Sequence, residues 1–114
     1  YYEFSLNAFK NKDNLKYLEK YLDLIKILSK NNFNKVNFIL LPYTYQLKDN
    51  NCKNKDLAEK LIEKNLKKRG FKYIVVKDYL CQDKNKKKIF LKHDPAHLSK
   101  YGHKALSKIL YDYM

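Results

Sequence analysis

Val36-Asn37-Phe38-Ile39-Leu40-Leu41, closed by Pro42, is the run that decides the fold. A short stretch rich in branched and aromatic residues, ended by proline, reads as a buried strand of a parallel sheet. Downstream, Pro42 to Asn54 reads as a polar loop. Asp56 to Arg69 places Leu57, Leu61, Ile62 and Leu66 on one helical face and stops at Gly70. Phe71 to Val76 is a second buried-strand pattern. Upstream, Leu15, Leu18, Leu22, Ile25 and Leu28 recur at spacings of three and four, which predicts a helix over Asp13 to Lys30. Asp13 is its expected N-cap and Asn31-Asn32 its stop. Tyr1 to Phe4 reads as the end of a further strand.

Beyond the second strand, Asp83 to Lys88 is a charged turn and Ile89 to Leu91 a short extended piece. Ser99 then caps a last helix, Lys100 to Tyr113, whose inner face is Tyr101, Ala105, Leu106, Ile109, Leu110 and Tyr113. Strands alternating with helices predict an α/β fold of parallel βαβ units with helices on both faces of the sheet. The 114 residues suffice for a single domain, 1–114. Ligands of such sheets bind beyond the carboxyl ends of the strands. The loops after Pro42 and Val76, and the loop holding Asp94 and His97, all fall at that edge.

The net charge of +13 has two readings. One is an anionic partner. The other is codon usage, because Lys, Asn, Ile and Tyr all have AT-rich codons. Of the 25 basic residues only Arg69 is arginine, and arginine is the residue that reads guanine and grips phosphate in two places. Specific nucleic-acid recognition is therefore not expected. Gly70 and Gly102 are the only glycines, which excludes a P-loop or a GxGxxG turn in these residues. No cofactor is expected. No run of apolar residues is long enough for a membrane segment. The chain begins at Tyr1 rather than Met, which predicts a fragment or processed product.

Cys52 and Cys81 are not in CxxC form, which argues against a zinc or redox motif. Both follow expected strands and so lie near one sheet edge, either as a disulfide or as two free thiols. A disulfide would indicate a periplasmic or other extracytoplasmic compartment, free thiols a cytoplasmic one.

The chemistry concentrates in His93-Asp94-Pro95-Ala96-His97-Leu98-Ser99-Lys100-Tyr101-Gly102-His103. Asp94 and His97, three residues apart, fall on one side of a turn. There the carboxylate can accept a hydrogen bond from Nδ1–H and leave Nε2 to take a proton from a nucleophile. The competing reading makes Asp94, before Pro95, the cap of a turn and His97 a surface residue. His93, Asp94 and His97 are also three potential metal ligands, but no second cluster completes a shell, so no metal is expected.

The same run, with its amphipathic C-terminal helix, resembles the last sequence block of the SGNH (GDSL-type) hydrolase family. That block reads D-x-x-H, an apolar residue, a helix-capping Asn or Ser, then Gly-His. The resemblance implies a flavodoxin-like three-layer α/β/α sandwich, here as the C-terminal part of the domain. It implies ester hydrolysis or O-acyl transfer by a serine nucleophile, on an ester- or acyl-bearing small molecule or glycan. Asp94 would orient and His97 would be the base. Leu98 would pack under the loop, Ser99 would cap the helix and Gly102 would allow close packing. His103 would be a packing residue or a support behind the site, not a catalyst, and His93 an exposed loop residue.

The departures are specific. No Gly-Asp-Ser nucleophile motif occurs, and neither glycine sits where the family's oxyanion-hole glycine belongs. Asn7 is the candidate remnant of the family's oxyanion asparagine. Ser5 is not a credible nucleophile. Tyr43, Tyr45 and Gln46, after the first strand, are candidate pocket residues; the competing reading is strand-end packing. The expectation is an esterase whose nucleophile lies upstream, so that these residues alone are inactive. The alternative is a basic, non-catalytic module binding nucleic acid or another polyanion, motivated by interleaved Lys and Tyr. Its lysines, Lys84, Lys86, Lys87 and Lys88 included, are scattered rather than gathered into one stripe.

Overall fold

Helix-forming stretches carry their own start and stop signals. Helix α1, Lys12–Leu28, is capped by Asn11, whose side chain accepts the Asp13 N–H at 2.9 Å. Asp13 thus lies in the first turn, one cap away from its expected role. Strand β1, Asn37–Leu40, follows. After a 3₁₀ turn, Thr44–Leu47, comes the short helix α2, Asp49–Lys53. Helix α3, Leu57–Lys68, opens on a capping box: Asp56 accepts the Glu59 N–H, and Glu59 accepts the Asp56 N–H, each at 2.9 Å. It stops at Gly70, whose φ of 73° lies in the left-handed region that glycine adopts without cost. Strand β2, Lys72–Val75, leads into helix α4, Val76–Leu80, and the chain ends on α5, Lys100–Tyr113.

The structure, a computed structural model, describes residues 7–114 apart from the side chain of Asp49. The expected strand at Tyr1 to Phe4 and Ser5 lie outside the described residues. Among those described, 62% are helical and the sheet is one parallel pair, β1 with β2.

That overturns the three-layer α/β/α sandwich. Strands lie about 4.8 Å apart, while a helix with its side chains is about 10 Å across. A pair of four-residue strands is narrower than one helix and cannot form a layer with helices on both faces. The extended pattern at Phe71 to Val76 stops early because Val76 opens α4. Pro42 to Asn54, expected as a loop, folds into the 3₁₀ turn and α2. Ile89 to Leu91 contributes a single antiparallel bridge, Phe90 to Leu98.

The chain divides into two compact units. Among the described residues, one comprises 7–38 and 55–73. Its buried residues include Leu22 of α1, Leu66 of α3 and Phe71, and the Phe71 ring meets Phe33 and Phe38 at about 5 Å. Arg69, buried, ties α3 to α1: Nε donates to Asp23 at 2.7 Å, Nη1 to Asn65 Oδ1 at 2.8 Å, and Nη2 to the Glu19 carbonyl at 3.3 Å. Buried Glu63 receives Lys55 Nζ at 2.5 Å and the Tyr73 hydroxyl at 3.0 Å. Burial raises its carboxyl pKa, but these two donors outweigh that and hold it below the usual value.

The other unit comprises residues 39–54 and 74–114. Its core is Leu47, Ile74, Val76, Leu80, Ile89 and Phe90, covered by Leu98 and by Tyr101, Ala105, Leu106, Ile109 and Leu110 of α5. Cys52 and Cys81 pack against that core as a disulfide, Cα–Cα 5.7 Å. Beside them the buried Lys77 ammonium donates to the Asn51 and Asn54 carbonyls at 3.1 and 2.9 Å, closing the end of α2.

Candidate functional site

The Asp94–His97 loop sits between two short antiparallel segments. The Leu91 N–H donates to the His97 carbonyl at 2.9 Å and the Ser99 N–H to the Ile89 carbonyl at 2.8 Å. His93 turns the chain with φ 63°, a left-handed conformation that is uncommon outside glycine. Asp94 then uses both carboxylate oxygens. Oδ1 accepts the N–H groups of Ala96 and His97, each at 3.0 Å. Oδ2 lies 2.7 Å from His97 Nδ1.

The sequence left two readings of Asp94, cap or partner of the imidazole, and the geometry contains both. One oxygen holds the turn and the other holds the ring. Because a carboxylate only accepts, Nδ1 carries the proton, and Nε2 is the ring's accepting atom. Among the described residues nothing bonds Nε2, and the His97 side chain is 77% exposed against 35% for Asp94. The N–H groups of Ala96 and His97, and then the ring, hold the Asp94 carboxyl below its ordinary value.

A group with a depressed folded pKa adds stability above its unfolded pKa and loses it as pH falls through the folded one. Unfolding midpoints in urea, compared between wild type and Asp94→Asn, should therefore converge as the pH falls through and below the ordinary carboxylate range. A constant gap across that range would contradict the hydrogen bonding described.

The loop is fixed to its scaffold by the residues that follow. Leu98 packs against the core. The Ser99 hydroxyl donates to the Lys88 carbonyl, and its oxygen accepts the Gly102 N–H at 3.0 Å, capping α5. Gly102 lies directly against the Ile89 backbone: a Cβ there would overlap the Ile89 carbonyl and come within 3.2 Å of Leu98. Glycine to alanine in a helix ordinarily stabilises by roughly 0.5–1 kcal/mol. Here Gly102→Ala is expected to destabilise by about 2–3 kcal/mol, because the obstacle is backbone and cannot swing aside. Thermal or urea unfolding reads the sign directly. From the same first turn the Tyr101 hydroxyl donates to the Asp83 carboxylate, 2.9 Å from each oxygen. His103 is exposed on α5, so it is not a packing residue, and His93 is exposed on the loop.

The turn after β1 lies alongside. The Pro95 carbonyl accepts the Thr44 N–H at 2.9 Å and the Thr44 hydroxyl at 3.1 Å. The Tyr43–Gln46 segment is thereby tied to the middle of the Asp94–His97 loop. The Tyr43 and Tyr45 rings stack at 5.9 Å, 14° from parallel. Gln46 is buried, and its Oε1 accepts the Tyr43 N–H at 2.8 Å, so it builds the turn. The Thr44 tether was not legible in the sequence, because nothing local marks Pro95 as its acceptor. Lys77 was equally hidden among the many lysines.

Asn7 lies in a helical stretch, residues 7–10, in the other unit, and is exposed. It does not follow a described strand, as the remnant of an oxyanion block would. Among the described residues no group of three His, Cys, Asp or Glu side chains is placed to hold a metal ion. Compared with known protein families, with curated proteins and with solved structures, the chain matches none.

Proposed function

We propose that Asp94 and His97 are the acid–base pair of an SGNH-type serine ester hydrolase or O-acyltransferase. The observation that carries this reading is the 2.7 Å contact from Asp94 Oδ2 to His97 Nδ1 on an exposed His97 side chain. The pair has the hydrogen bond that such a base needs. His97 accepts the nucleophile's proton at Nε2, Asp94 stabilises the imidazolium, and the proton then passes to the leaving group. The resemblance of the Asp94–His103 run supports the family. The packing of Leu98, the cap by Ser99 and the close approach at Gly102 fit the parts that the resemblance assigns to them. The reading rests on the site and not on the fold.

The nucleophile belongs, on this reading, to sequence upstream of Tyr1. The substrate is an ester- or acyl-bearing small molecule or glycan. The Cys52–Cys81 disulfide supports an extracytoplasmic location, where such bonds persist. The test is to express the chain with its upstream coding sequence. That protein should hydrolyse a short-chain aryl ester and be labelled by a fluorophosphonate on an upstream serine. A product that is folded yet neither hydrolyses esters nor takes the label would end the proposal.

A further inference from the structure

Helix α1 is apolar over more of its circumference than its unit buries. Leu15, Leu18, Leu22 and Ile25 turn inward, and α1 packs there against α3. Tyr17, Tyr21, Leu24 and Leu28 recur at spacings of four, three and four, so they form a second stripe along the helix. This stripe faces solvent: Tyr17 is 59% exposed, Tyr21 61% and Leu28 85%. Ile27, 68% exposed, widens its C-terminal end. Isolated exposed apolar residues need no explanation, but a contiguous row of them marks an interaction surface.

The border of the stripe says what it meets. Lys20 lies three residues after Tyr17 and four before Leu24, next to both, and Lys16 lies one turn earlier. Both are exposed. The ion pair of Lys16 with Asp13, at 4.0 Å between exposed groups, leaves its charge available. Lys26 turns elsewhere, over the Phe33 ring. A second copy of the chain would bring lysine to lysine and one +13 charge against another. An anionic lipid surface reverses that sign. Tyrosine suits the headgroup boundary, with its ring among acyl chains and its hydroxyl in water, and flanking lysines reach phosphate. No helix of the described residues is long and apolar enough to cross a membrane, so α1 would lie along the surface.

We infer that the Tyr17–Tyr21–Leu24–Leu28 stripe docks α1 onto an anionic phospholipid bilayer. This does not depend on the proposed esterase activity. The disulfide-intact chain should float with vesicles of phosphatidylcholine plus phosphatidylglycerol, not with phosphatidylcholine alone, and binding should weaken as salt rises. Tyr17→Gln with Leu24→Gln should weaken binding at least about tenfold, and Lys16→Glu with Lys20→Glu by at least as much. These positions are exposed, so circular dichroism should be unchanged. If a pair does unfold the helix, Tyr21→Gln alone should still reduce binding.

Three results would overturn the inference. Absent or headgroup-indifferent binding is the first. Binding retained by a folded stripe variant is the second, because scattered lysines would then suffice. The third is a stripe already covered without lipid. That would appear as self-association abolished by the stripe variant, or as slow hydrogen exchange at Tyr21 in the chain expressed with its upstream coding sequence.

Discussion

On the proposed esterase reading, replacing His97 by alanine in the chain expressed with its upstream coding sequence should lower ester hydrolysis about 10³- to 10⁴-fold, mainly in kcat. A serine hydroxyl is a weak nucleophile until a base takes its proton, and the proposal gives that part to Nε2 of His97. Asp94→Asn should cost a similar factor by a different route. The carbonyl oxygen of the new amide could still accept the Ala96 and His97 N–H groups, so the turn would survive. The amide nitrogen would present N–H groups to Nδ1, which would then have to accept, leaving the proton on Nε2. The ring would stand in place in the wrong tautomer. The comparison separates chemistry from folding: the Asp94→Asn protein should still be folded at neutral pH, with a somewhat lower unfolding midpoint, yet be nearly inactive. Full activity in the folded His97→Ala protein would remove this histidine from the mechanism.

Opening the Cys52–Cys81 disulfide should lower the unfolding free energy by about 3.5 kcal/mol. The bridge closes a sequence separation of 29 residues, and the cost of losing it is mainly the freedom regained by the unfolded chain. The double variant Cys52→Ser, Cys81→Ser should reproduce the midpoint of the reduced protein in urea. Hydrogen exchange should locate the loosening in residues 43–54, because α2 would lose its covalent tie to Cys81 and keep the Lys77 clamp at its end. The Asp94–His97 loop should be far less affected, since its own ladder to 89–91 and the Ser99 cap remain. Identical midpoints with and without reductant would show that the bridge contributes nothing.

The longest helices were legible because their signals are local. The apolar spacing of α1, α3 and α5, the stop at Gly70 and the Ser99 cap are all written within a few residues of where they act. The strands at 37–40 and 72–75 were legible for the same reason. Their number and the layers around them were not. Alternating strand and helix patterns fit a wide sheet and a two-stranded ribbon equally well, so the pattern could not separate a three-layer sandwich from what forms. Val36-Asn37-Phe38-Ile39-Leu40-Leu41 named a strand without naming its neighbours.

The candidate site divides in the same way. Asp94 and His97 were legible as a pair because three residues of a turn join them, and a turn is a local event. The sequence by itself therefore marked the Asp94–His97 pairing, the Ser99 cap and the helix behind it. Only the tertiary structure decided what stands beside them. It brought Thr44 to Pro95 across 51 residues, Cys52 to Cys81 across 29, and the Ile89 carbonyl against Gly102. It also left half of the apolar face of α1 in solvent. Such contacts depend on how distant segments share one small core, and short-range spacing carries no record of that.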